Sequence, residues 1–188
     1  MRIIAGELKG RRLKRAVGTR PTGDRVREAL FSILGGRIEG TFIDTYAGAG
    51  TVGLEARSRG ARVIFVERED DSIEALRGNI EALGDPEGVV VVASDALRFF
   101  KDPLASRRLP LPAWALLPAA CVFADPPYDY PLHEKLLKTM AASALVDHST
   151  VIVVEHRRGS LPSLRLEQLA LVRCESYGES ALSFFRRD

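Results

Sequence analysis

Cysteine is scarce. The 188 residues hold only Cys121 and Cys174, with no CxxC pair and no Cys/His cluster. That excludes a disulfide framework, argues against a metal site and fits a reduced, cytoplasmic compartment. The three histidines, His133, His148 and His156, show neither triad nor metal-ligand spacing. Ser32 and Ser58 fall in predicted helices without a nucleophile-elbow pattern. No run of about 18 uncharged apolar residues is present, so no membrane span is expected. The opening Met1–Lys9 segment lacks the apolar core of a signal peptide.

Of the residues present, 46% are apolar and 28% charged, the composition of an ordinary folded domain. The net charge of +2 conceals an asymmetry. Residues 1–37 carry 10 basic against 3 acidic side chains, a net of +7, and the other 151 carry 17 against 22, a net of −5. The expected organisation is a basic hairpin-and-helix extension over 1–37 on a main domain over 38–188. A basic arm on a mildly acidic body points to a polyanionic partner.

Residues 2–5 and 11–13 read as short strands around a Gly6–Gly10 turn. The segment Arg20–Leu34 reads as a helix capped by Thr22 or Asp24 and ended by Gly35-Gly36. Its apolar stripe is Val26, Leu30, Ile33 and Leu34, and Arg20, Arg25 and Arg27 lie off it, free to meet solvent or a ligand. Strands at 41–44, 61–66, 89–92, 119–124 and 151–154 then alternate with helices at 51–59, 70–83, 95–100 and 131–142. That alternation predicts an α/β fold with a parallel sheet covered on both faces. Two closing strands near 169–175 and 181–186, with no helix between, predict an antiparallel hairpin at one edge. Residues 103–118, with four prolines, read as a long surface loop or a lid.

The first strand runs into Asp44-Thr-Tyr-Ala-Gly-Ala-Gly-Thr-Val-Gly53 and then a helix. Small residues let a ligand approach the backbone, and the helix N-terminus favours polar groups. Gly48, Gly50 and Gly53 spell GxGxxG, which raises a nicotinamide site. Asp44 argues against it, because a carboxylate beside the turn would repel a pyrophosphate. Glu67 ends the second strand, where it can accept from a ribose, and Asp95 follows the third, where it can accept from an adenine amine. Acids after three successive strands suit a ligand with one nucleoside, an amino acid and a positive sulfur: S-adenosyl-L-methionine.

Phe123-Ala-Asp-Pro-Pro-Tyr128 ends the fourth strand. An exocyclic amine conjugated to a ring is a poor nucleophile. Asp125 can accept one of its N–H groups, and a carbonyl of the Pro126-Pro127 turn another. Proline fixes φ, so the acceptors are held in place. Tyr128 offers a face for stacking a base. The motif leaves open guanine N2, adenine N6 in DNA or RNA, or a protein glutamine. An inert RNA-binding module using only the arm is a further alternative.

"RIIAGELKGRRL", "TRPTGDRVREALFSIL", "DTYAGAGTVGLEARSRGA", "VERED", "ADPPY" and "YGESALSFFRR" together resemble the RsmD family of 16S rRNA guanine-N2 methyltransferases. The resemblance implies a Rossmann-like class I methyltransferase sheet of seven strands. It implies methylation of the guanine at rRNA position 966, and the expected substrate is 16S rRNA within a small-subunit particle; with no extra apolar helix stripe evident, a monomer is expected. Asp44, Ala47, Gly48, Ala49 and Gly50 would line the methionine end of the cofactor, Glu67 the ribose, and Asp95 with Ala96 the adenine. Asp125, Pro126, Pro127 and Tyr128 would be catalytic. Arg11, Arg12, Arg20, Arg25 and Arg27, with Tyr128, would meet RNA. No metal is implied.

Overall fold

The computed structural model describes residues 1–16, 22–84, 86–104, 111–127, 131, 133–160 and 166–188. After a first helix, α1 (Asp24–Ile33), strands and helices alternate. They are β1 (Thr41–Thr45), α2 (Thr51–Ser58), β2 (Arg62–Glu67), α3 (Asp70–Ala82), β3 (Val89–Ala93), α4 (Ala96–Lys101), β4 (Cys121–Ala124), α5 (His133–Ala141) and β5 (Val151–Arg157). β6 (Leu169–Tyr177) and β7 (Ser180–Arg187) follow with no helix between them. The seven strands form one sheet in the order β3-β2-β1-β4-β5-β7-β6. β1 to β5 pair in parallel, and β7 runs antiparallel to both β5 and β6. The expected sheet, with its closing hairpin, is therefore present.

The two-residue period of the strands divides the core. Phe42, Val63, Phe65, Cys121 and Phe123 face one layer, with Leu30, Phe31, Leu54 and Leu76. Ile43, Ile64, Val66 and Val122 face the other, with Phe99, Phe100, Leu136 and Met140. Both faces are covered, which is why these strands read as unbroken apolar runs. β1 is the switch point, because the chain leaves it first toward β2 and later returns to β4 on its other side. Ligands in open α/β sheets bind at such a reversal, beyond the carboxyl ends of the strands.

The basic extension is fastened to this frame. Ile3 and Leu13 are buried in the same layer as Leu30 and Phe31. The Glu55 carboxylate accepts from the amides of Ile4 (2.7 Å) and Ala5 (3.0 Å), and Leu8 N–H donates to Ser58 Oγ (2.9 Å). At Gly6, φ is +83°, and an added Cβ would sit 1.8 Å from the Ser58 carbonyl oxygen. Only glycine allows that approach. The expected strands 2–5 and 11–13 reduce to a single bridge, Arg2 to Arg12, because side-chain acceptors from α2 take Ile4 and Ala5 N–H instead.

Two other expectations change. α1 begins at Asp24, with Gly23 as its N-cap and no side-chain cap. Thr22 and Asp24 are engaged elsewhere, as shown below. In the proline-rich stretch, Ala113–Leu116 form a 3₁₀ turn. Its Trp114 ring lies under the Arg62 guanidinium, 5.3 Å from the ring centroid. Arg62 opens β2, at the end of the sheet remote from the switch-point crevice. The described part of this stretch therefore braces the far end and does not form a lid.

Candidate active site

The carboxyl ends of β1, β2, β3 and β4 open onto a cleft of about 660 Å³. Asp44, Ala47, Gly48, Ala49, Glu67, Asp95, Ala96, Asp125, Pro126 and Pro127 all line it. Residues separated by up to 83 positions thus meet in one place, each delivered by the end of its own strand.

The turn after β1 is shaped by three unusual positions. Tyr46 holds a left-handed φ of 58°, and Gly48 has φ +55° with open space where a Cβ would point. Gly48 is therefore the place where a ligand can lie against bare backbone. Gly50 differs. Its φ is +82°, but an added Cβ would lie 2.3 Å from Leu76 Cδ1, and the residue does not line the cleft. Gly50, expected at the cofactor, lets α3 close behind the turn. Gly53 likewise serves packing, since a Cβ there would meet Phe65 Cε1 at 2.2 Å.

Each carboxylate along the cleft has a distinct setting. Asp44 is 2% exposed and accepts from Gly53 N–H at 2.7 Å. Burial pushes its carboxyl up to about 8, the Gly53 amide opposes the rise, and nearby Glu67 adds to it. Glu67 Oε2 accepts from Gly48 N–H (2.7 Å), and its Oε1 from the amides of Arg68 (2.7 Å) and Glu69 (3.0 Å). It ties β2 to the glycine turn, and Oε2, which accepts only one of these bonds, retains a lone pair for a ligand hydroxyl. Asp95 is the N-cap of α4, its Oδ1 accepting from Arg98 N–H at 3.2 Å. Asp125 Oδ2 accepts from the Thr22 hydroxyl at 3.3 Å.

This arrangement fits S-adenosyl-L-methionine. The bare Gly48 backbone admits a chain of atoms, a buried acid beside it would be eased by a positive ligand, and Glu67 and Asp95 offer acceptors to a nucleoside. Asp44 occupies the space where a pyrophosphate would need donors.

The arginines divide. Arg11, Arg12 and Arg25 are exposed and lie outside the cleft lining. Arg20 and Tyr128 fall outside the described residues. Arg27 corrects the expectation of a free guanidinium: it is fully buried, paired with Asp24 at 2.5 Å, and donates to the Arg2 carbonyl at 3.1 Å. The hairpin folds over this side of α1, so a position that looks exposed on an isolated helix becomes an internal tie between arm and helix.

Sequence reasoning missed several residues. Met1, Thr22 and Gly23 bring the extension to the cleft, while Tyr177, Glu179 and Ser180 bring the β6–β7 turn. Glu155, whose place after the fifth strand suits a substrate contact or, more simply, a solvated strand end, is 4% exposed and lines the cleft. The signal available was the strand pattern itself, since β5 continues to Arg157 and β7 covers its outer edge. Among the described residues, no group of His, Cys, Asp and Glu side chains is placed to hold a metal, and no helix is long and apolar enough to cross a membrane.

The comparisons agree with this geometry. A family model described as "Conserved hypothetical protein 95" matches residues 1–186. "Ribosomal RNA small subunit methyltransferase D" of Haemophilus influenzae is 31% identical over 183 residues, covering 95% of this chain and 89% of that protein. The protein of the same name from Escherichia coli K12 is 31% identical, covering 100% and 90%. The solved structure titled "Putative methyltransferase yhhF from Escherichia coli" superposes with a TM-score of 0.81 at 30% identity, covering 100% of this chain and 98% of that one. With its family model matched almost end to end and its relatives covered nearly whole, the chain belongs to the family described as conserved hypothetical protein 95, the RsmD family of rRNA methyltransferases.

Proposed function

We propose that this protein transfers a methyl group from S-adenosyl-L-methionine to the exocyclic N2 of a guanine in 16S rRNA, in the cytoplasm and acting as a monomer. By its resemblance the target is the guanine at rRNA position 966, presented by a small-subunit particle. The observation that carries the reading is the Asp125-Pro126-Pro127 turn lining the same cleft as the bare Gly48 backbone. A donor of methyl and an acceptor of amine hydrogens then face one space.

When bound, the cofactor supplies an electrophilic methyl group. The chain does the rest. Asp44, Gly48, Glu67 and Asp95 hold and orient the donor. Asp125 accepts one N–H of the amine, and a carbonyl of the diproline turn accepts the other. These bonds draw the nitrogen toward tetrahedral geometry and stabilise the charge developing on it; as the new N–C bond replaces the donor's S–C bond, the nitrogen gives up one hydrogen as a proton, through Asp125 to water. Holding amine and methyl in line supplies much of the remaining acceleration. Thr22, donating to Asp125 Oδ2, keeps that carboxylate aimed. The exposed Arg11, Arg12 and Arg25 lie on the extension that also reaches the cleft, so RNA held by the arm is held near the reacting base.

Adenine-N6 transfer uses the same turn and remains the competing substrate. Mass-spectrometric mapping of 16S rRNA from cells lacking the gene separates the two. Loss of one N2-methylguanine is expected, and an intact modification pattern overturns the assignment. Calorimetry with S-adenosylhomocysteine and with NADH tests the cofactor, with binding expected only for the first.

A further inference from the structure

We infer that Glu155 is the residue that selects guanine, by accepting the N1–H that lies beside the reacting amine; this rests on the guanine-N2 reading above. β4 and β5 are parallel neighbours, with Ala124 paired to Val154. Asp125 directly follows β4 and Glu155 is the next residue of β5, so the two acids leave this last pair side by side, from strands about 4.8 Å apart. Both line the cleft. Glu155 is 4% exposed, and its other neighbour, on β7, is Leu182, itself fully buried. By the two-residue alternation Glu155 shares a sheet face with Val153 and Leu182, as Asp125 does with Phe123, so the two acids lie on one side of the sheet, at the cleft.

The Watson–Crick edge of guanine carries three N–H bonds in a row, two on N2 and one on N1. Adenine offers two on N6, and its N1 is a lone pair. Two side-by-side carboxylates make a row of acceptors. With Asp125 on one amine hydrogen, Glu155 meets N1–H of guanine. On adenine the same carboxylate meets the N1 lone pair, acceptor against acceptor. A site built to accept a hydrogen bond rejects a ligand that cannot donate one far more strongly than a pocket rejects a change of size. Glu179 also lines the cleft but is exposed, and it sits on the β6–β7 turn out of register with Asp125. Glu155 is thus a specificity residue, and Asp125 acts on the reacting nitrogen.

The test uses 16S rRNA particles carrying either guanine or 2-aminopurine at the target. 2-Aminopurine keeps the N2 amine, but its N1 is a lone pair. Single-turnover transfer is measured for the unaltered protein, for Glu155→Gln and for Glu155→Asp, with S-adenosylhomocysteine calorimetry to show that each variant is folded. The unaltered protein should favour guanine. Glu155→Gln can turn its amide N–H toward N1, so its guanine to 2-aminopurine ratio should fall by about ten-fold or more. Glu155→Asp keeps the charge and should keep the preference at a lower rate. A role confined to the fold would slow both substrates alike and leave the ratio unchanged. That result, or no preference in the unaltered protein, overturns the inference while leaving N2 transfer standing. No transfer to guanine by the unaltered protein overturns both.

Discussion

The hydroxyl of Thr22 donates to Oδ2 of Asp125 at 3.3 Å, joining residues 103 positions apart. One partner lies at the entry to α1, in the basic extension, and the other at the end of β4. The extension is thus part of the amine end of the site as well as a cover for it. Thr22→Val removes the donor and keeps the shape. If the bond aims the carboxylate, turnover should fall by the worth of one ordinary hydrogen bond, about 0.5–1.5 kcal/mol, or roughly two- to twelve-fold. S-adenosylhomocysteine affinity should stay the same. Single-turnover transfer and calorimetry on the one variant check both halves.

Asp44 gives the site a pH signature. Its carboxyl is raised from 3.8 to about 8, chiefly by burial. Between those values the unfolded chain loses this proton and the folded chain keeps it. The folded state then binds more protons, so the Asp44 contribution to stability falls as pH rises through that window. Asp44→Asn should flatten the decline, seen as a smaller loss of Tm between about pH 5 and pH 8 in the free protein. A positive ligand beside Asp44 favours the carboxylate, so S-adenosyl-L-methionine binding near pH 7 should release a proton. Calorimetry in two buffers of different ionisation enthalpy measures that proton, and Asp44→Asn should abolish it.

Glu67 holds three backbone amides, of Gly48, Arg68 and Glu69. Glu67→Ala should weaken cofactor binding by about 1.5–3 kcal/mol, the worth of a charge-assisted hydrogen bond. Glu67→Gln should also cost affinity, because its amide group would turn a donor toward donors. Unchanged S-adenosylhomocysteine affinity in both variants would remove Glu67 from the cofactor site.

Asp44, Glu67, Asp95 and Asp125 were legible in the sequence because each closes or follows an apolar run at a strand's carboxyl end, where ligands of open α/β sheets bind. The parallel sheet and its closing hairpin followed from the alternation of periods. Other features depended on contacts between distant segments. Gly50 looks like Gly48 in a glycine-rich turn, and only Leu76 behind it shows that it serves packing. Arg27 looks exposed on the helical wheel, and only the hairpin's Arg2 carbonyl and the Asp24 pair explain its burial. Glu155 looks solvated until β7 is laid beside β5. Local pattern reports which residues end a strand; it does not report what covers them.

Charge reversal on the extension should separate RNA binding from cofactor binding. Deleting residues 1–15 would also remove the buried Ile3 and Leu13, so point variants are the cleaner probe. Arg12 and Arg25 are exposed and make no ion pair among the described contacts. Arg12→Glu and Arg25→Glu should each lower RNA affinity. Each should also reduce the slope of log affinity against log salt by about 1, since each removes one phosphate contact. S-adenosylhomocysteine affinity should not move. An unchanged salt slope would take the RNA off this face.

Asp125→Ala tests the chemistry most directly. The amine nitrogen of guanine is planar, with its lone pair delocalised into the ring, and must become tetrahedral as the methyl group arrives. An acceptor fixed on one of its hydrogens costs nothing to reorganise at that moment, and its bond strengthens as positive charge grows on nitrogen. Removing one such preorganised contact should slow transfer by roughly 10²–10³. Cofactor affinity should change little. Asp125→Asn separates hydrogen bonding from charge. The Asn oxygen can still accept, and can still take the Thr22 hydroxyl, so a mild effect means that acceptance suffices; an effect as large as that of alanine means that the negative charge is needed. The base must also leave its stack to reach the turn, so guanine in a loop should be methylated far faster than guanine in a pair. Single-turnover transfer at saturating cofactor reads all of these, and a near-normal rate for Asp125→Ala would place the amine's acceptor elsewhere in the cleft.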